Sequence, residues 1–142
     1  MATTTDRYLS YPALAAGVSV AMVATAAWNR LAYVQVVPAS TITADCYVAG
    51  ITWCWPTALA ANDTTYDFVI ELASGSAGSE VLFAQIPVTV RRDTNVGYIN
   101  TNNYMFPEPK YLAANTRLAV GASYSAAAAL TLAGFKIIYK TP

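Results

Sequence analysis

The chain has 142 residues, 56% of them apolar and only 11% charged, with eight basic and eight acidic side chains and no histidine. That length fits one domain with a substantial core. Zero net charge excludes the electrostatic pull that nucleic acid or an anionic membrane surface exerts. The missing histidine removes the commonest general base and metal ligand, along with every histidine-containing triad.

Residues 13–28, ALAAGVSVAMVATAAW, form the most apolar run. Arg7 and the triplet Ala24-Thr25-Ala26 imitate a signal peptide, but Asp6 cancels the Arg7 charge and Pro12 opens the run awkwardly. The run is too short and too alanine-rich to cross about 30 Å of hydrocarbon. Within it Val18, Val20 and Met22 alternate with Ser19 and Ala21, which predicts an extended N-terminal arm entering a first strand. Small side chains let backbones approach closely, so the arm, residues 1–27, is expected to lie across a neighbouring subunit.

From Arg30 the pattern is β. RLAYVQVVP alternates with both faces largely apolar, as in a strand buried between layers. ADCYVAGITWCW follows, interrupted at Gly50 and stopped by Pro56. TALAANDTT reads as a loop, YDFVIEL as a strand, and ASGSAGS as a turn. EVLFAQIPVTV is a strand whose Pro87 predicts an edge position or a bulge. Residues 91–111 read as a long irregular excursion with one short strand at Val96 to Ile99. TRLAVGASYS and TLAGFKIIYK close the chain as two strands joined by four alanines. Seven or eight short strands without a long helix predict an all-β sandwich or barrel.

Cys46 and Cys54 lie eight apart, about 26 Å along a straight strand. A disulfide needs Cα atoms within roughly 7 Å, so only a hairpin at Gly50 would join them. Two small side chains in one strand is the simpler expectation. Two thiols are too few for a zinc site. Asp63, Asp67 and Glu71 lack EF-hand spacing. Walker, dinucleotide and nucleophile-elbow motifs are absent from the sequence. The residues therefore predict no enzyme, no cofactor and no metal. Trp53 and Trp55 share a strand face and would form a sugar-stacking platform if exposed, which supports an alternative reading as a carbohydrate- or receptor-binding β module.

PEPKYLAANTRLAVGASYS followed by LTLAGFKIIYK resembles the closing strands of small jelly-roll-like proteins of tailed-bacteriophage virions. Tyr111, Leu112, Asn115, Thr116, Leu118 and Val120 carry the first part of the likeness, and Gly134, Lys136, Ile137 and Tyr139 the second. It covers about a quarter of the chain. The resemblance implies a capsid decoration (cement) protein on the virion surface, or another virion component such as a tail or neck protein. Such proteins typically form a homotrimer or bind between capsomers, with the major capsid protein as partner, and in the alternative reading the sugar- or receptor-binding module belongs to a phage tail or fibre. The resemblance carries over no functional residues.

Together these readings predict an all-β, single β-sandwich, jelly-roll-like domain over residues 28–142 behind an extended arm. Contacts with neighbours are expected at Tyr8, Tyr11, Val18, Val20 and Met22 of the arm. In the long excursion they are expected at Arg91, Arg92, Tyr98, Tyr104 and Phe106. Low charge and ten tyrosines suit a protein covered by other subunits, because tyrosine joins an apolar ring to a hydrogen-bonding tip.

Overall fold

The computed structural model describes residues 8–12, 17–23, 27–30, 32–54, 65–91, 101–125 and 129–142. They form β1 (Leu9–Tyr11), β2 (Val18–Val23), β3 (Val34–Val37), β4 (Cys46–Cys54) and β5 (Thr65–Ser74), then β6 (Val81–Arg91), β7 (Thr101–Leu112), β8 (Leu118–Tyr124) and β9 (Ala129–Lys140). Sheet 1 has the order β1-β9-β4-β7, with β2 also paired to β9; sheet 2 has the order β3-β8-β5-β6. Every strand pairing among the described residues is antiparallel. From β2 to β9 the chain changes sheet at each connection except β5 to β6, which is the interleaving of a jelly roll.

The two sheets close on one apolar core because their strands alternate. In β5, Tyr66, Phe68, Ile70 and Leu72 are buried, whereas Asp67 is exposed and Val69 and Glu71 are half-buried. Sheet 1 contributes Cys46, Val48, Ile51, Trp53, Phe106, Leu112, Leu132, Phe135 and Ile137 to the same core. Trp53 stacks on Phe135 with ring centres 6.4 Å apart, and Phe68 stacks on Tyr124 at 5.3 Å. Each large apolar side chain buried here contributes about 1.5–3 kcal/mol.

Several expectations are corrected. The excursion at residues 91–111 is not irregular over its second half: Thr101–Leu112 is the edge strand of sheet 1. Pro107 and Pro109 fall between Met105 and Lys110, where this edge strand shifts register against β4, so neither has a ladder hydrogen bond to donate. The proposed strand at Val96 to Ile99 lies outside the described residues.

Gly50 does not interrupt its strand. The register shifts there against both neighbours, and the strand runs on. A Cβ at Gly50 would sit 2.3 Å from the Tyr104 carbonyl oxygen, so glycine is what lets β7 close over β4. Cys46 and Cys54 are consequently opposite ends of one strand and are not joined by a disulfide. Strand β3 begins at Val34 rather than Arg30, and a register shift between Gln35 and Val37 turns both Val36 and Val37 inward. Pro87 does lie in an edge strand, β6.

Candidate functional site

The residues expected at interfaces fall in three groups. Tyr8 is 52% exposed just before β1. Tyr11 and Val18 pack against the core from β1 and β2. Val20 and Met22 pair through their backbones with Leu132 and Leu130 of β9 in the same chain. The described part of the arm thus adds two strands to the edge of its own sheet. Tyr104 and Phe106 also turn inward: Phe106 is a core residue, and Tyr104 packs on it edge-to-face at 5.6 Å. This corrects the expectation that both face a neighbour; alternation along β7 gives them the inner face and Met105 the outer one. The backbone of Arg91 ends β6 opposite Thr65. Arg92, Tyr98 and Trp55 lie outside the described residues. Trp53 is 2% exposed and stacked in the core, so it offers no surface for a sugar.

The chemically richest surface lies on the outside of sheet 2. The Glu71 carboxylate receives three donors: the Arg30 Nε at 2.9 Å, the Tyr33 hydroxyl at 3.0 Å and the Gln85 amide at 3.2 Å. The Arg30 guanidinium also lies 3.9 Å from the Tyr33 ring centre. Both side chains close over Gly121, where a Cβ would meet the Arg30 Cδ at 2.8 Å. Burial, reinforced by the Glu71 carboxylate, pushes the Tyr33 phenol upward, so it stays a protonated donor.

A second cluster surrounds Arg117. Its Nη1 donates to Glu80 Oε1 and to the Gly75 carbonyl, both at 3.0 Å, and its Nε donates to Gln35 at 3.1 Å. The Glu80 carboxyl is held below its usual range, first by its own backbone N–H and then, against opposing desolvation, by Arg117 and the Gly78 N–H. An open groove of about 450 Å³ runs between the clusters, with Arg30 and Tyr33 on one side and Gly78, Glu80 and Arg117 on the other. In both clusters the charges are matched in pairs, an arrangement that fastens the 75–80 turn, Arg30 and Tyr33 to the sheet.

Among the described residues no three His, Cys, Asp or Glu side chains come together to hold a metal ion. Burial pushes the Cys46 thiol upward, away from the thiolate form that nucleophilic chemistry uses.

What remains conspicuous is exposed apolar surface. Val81 and Leu82, 68% and 53% exposed, begin the edge strand of sheet 2 beside the 75–80 turn. On the outer face of sheet 1 stand Tyr47, Met105 and Tyr111. None of these five is among the residues expected at interfaces; Tyr111 enters the sequence analysis only as part of the family likeness. Alternation between buried Cys46 and Val48 does carry the signal for Tyr47. For Val81 and Leu82 the signal is masked, because two adjacent apolar residues break the period-two rhythm where the register shifts between Leu72 and Ala73. Comparison with known proteins finds no matching family model and no matching curated relative.

Proposed function

We propose that this chain is a structural virion protein: a decoration, or cement, protein that binds the outside of a tailed-phage head, contacts the major capsid protein and holds neighbouring capsomers together as a homotrimer. The observation that carries the reading is the pair Val81 and Leu82. Two large apolar side chains on successive residues stand in water along a sheet edge that no described strand pairs. Folded proteins ordinarily blunt such edges with charge or cover them.

The rest of the molecule supports it. With 11% charged residues the surface has few groups to keep free copies apart. The residues that resemble phage virion proteins run through the end of β7, β8 and β9, and β8 and β9 are inner strands of the two sheets. Attachment then rests on buried area: about 800 Å² per partner makes a stable contact, and a trimer repeats it three times.

The test is co-sedimentation of purified protein with capsid shells stripped of decoration. The wild type is expected to pellet with the shells, and a V81D/L82D variant that keeps its thermal unfolding midpoint is expected to stay in the supernatant. A wild type that never pellets, or a double variant that pellets equally well, contradicts the proposal.

A further inference from the structure

Three exposed tyrosines stand in one line across the outside of sheet 1. Tyr47 pairs with Tyr111 on one side and with Lys140 on the other. Leu9 pairs with Tyr139, so the antiparallel register carries Tyr8 to the level of Lys140. Read across the sheet, the row is Tyr8, Lys140, Tyr47, Tyr111. It spans three strand spacings, about 14 Å. The tyrosines are 52%, 37% and 54% exposed in that order.

The row is held in place. The Asp45 carboxylate beside Tyr111 pushes its phenol upward, so the hydroxyl stays protonated. Asp45 Oδ1 in turn accepts the Ala114 N–H at 2.9 Å. The Tyr47 and Tyr111 rings meet edge-to-face with centres 5.9 Å apart. Met105, 45% exposed opposite Gly50, continues the exposed apolar surface three positions further along β4.

The strip therefore offers apolar rings interleaved with hydroxyls, one ammonium and one carboxylate, and its charges cancel. A pyranose ring has the matching chemistry, an apolar C–H face bordered by hydroxyls that both donate and accept. A charged ligand would oppose either Lys140 or Asp45. We propose that the row is a binding site for a neutral hexose oligosaccharide lying across the strands of sheet 1. This goes beyond capsid attachment and uses the other sheet from Val81 and Leu82.

The test is an NMR titration of ¹⁵N-labelled protein with maltohexaose, cellohexaose and mannohexaose. At least one is expected to shift resonances confined to residues around Tyr8, Tyr47, Tyr111 and Lys140. Y47A is expected to weaken that sugar roughly 2- to 12-fold, the range of one aromatic contact, and Y47A/Y111A to abolish binding with the thermal midpoint unchanged. No shift with any of the three up to roughly 10 mM, well below useful affinity, overturns the proposal, as do shifts located elsewhere. It is equally overturned if no sugar binds and Y47A/Y111A fails to pellet with capsid shells, which makes the row a protein contact. Wild-type co-sedimentation, measured independently, decides the attachment reading whatever the sugars do.

Discussion

Glu80 and Gly50 show how single residues hold this sandwich together. The Glu80 carboxyl lies below its usual range, mainly through its own backbone N–H and then through Arg117 and the Gly78 N–H. A group with a depressed folded value stabilises the fold above its unfolded value and loses that contribution as pH falls through the folded one. Acidification below the ordinary glutamate value, about 4.3, is therefore expected to lower the urea midpoint of the wild type more steeply than that of E80Q; parallel slopes would dissociate Glu80 from acid stability. Gly50 works by absence. With the Tyr104 carbonyl oxygen 2.3 Å from a would-be Cβ, G50A forces two backbones apart, at an expected cost of about 1–3 kcal/mol in urea unfolding. W53A removes the indole stacked on Phe135 and is expected to cost about 3–5 kcal/mol.

At the scale of elements, β9 decides what β1 and β2 do. Its one flank pairs with β4 and its other with β1 and β2. Deleting residues 1–23 would bare that second edge over most of the strand and uncover Val18 and Tyr11 contacts with the core. The truncated chain is expected to aggregate or to lose its cooperative thermal transition; a soluble truncation with an unchanged midpoint would show that the two strands are dispensable.

The sequence pattern disclosed strands wherever period two survives, as in β5, and disclosed the edge at Pro87. It hid β7, because Pro107 and Pro109 read as loop residues until the register shift against β4 is known. It also hid the continuity of β4, because a glycine needed for close approach of β7 looks the same as a glycine that breaks a strand. The inward turn of Trp53 follows from its parity with Ile51 once the register shift at Gly50 is known.

For the whole molecule, the jelly roll joins two surfaces of different character. One is the edge of sheet 2, with Val81 and Leu82 beside an ion-paired turn; the other is the outer face of sheet 1, with its tyrosine row. The polar clusters around Glu71 and Arg117 satisfy their own charges and stiffen the framework between them. The exposed surfaces were the hardest to read from sequence, since alternation tells which residues share a face but not which face meets the core. The measurement that bears most directly on the attachment account is sedimentation of the wild-type chain and V81D/L82D with stripped capsid shells. Wild type in the pellet with the folded variant left in solution is the predicted result, and equal partitioning of the two contradicts it.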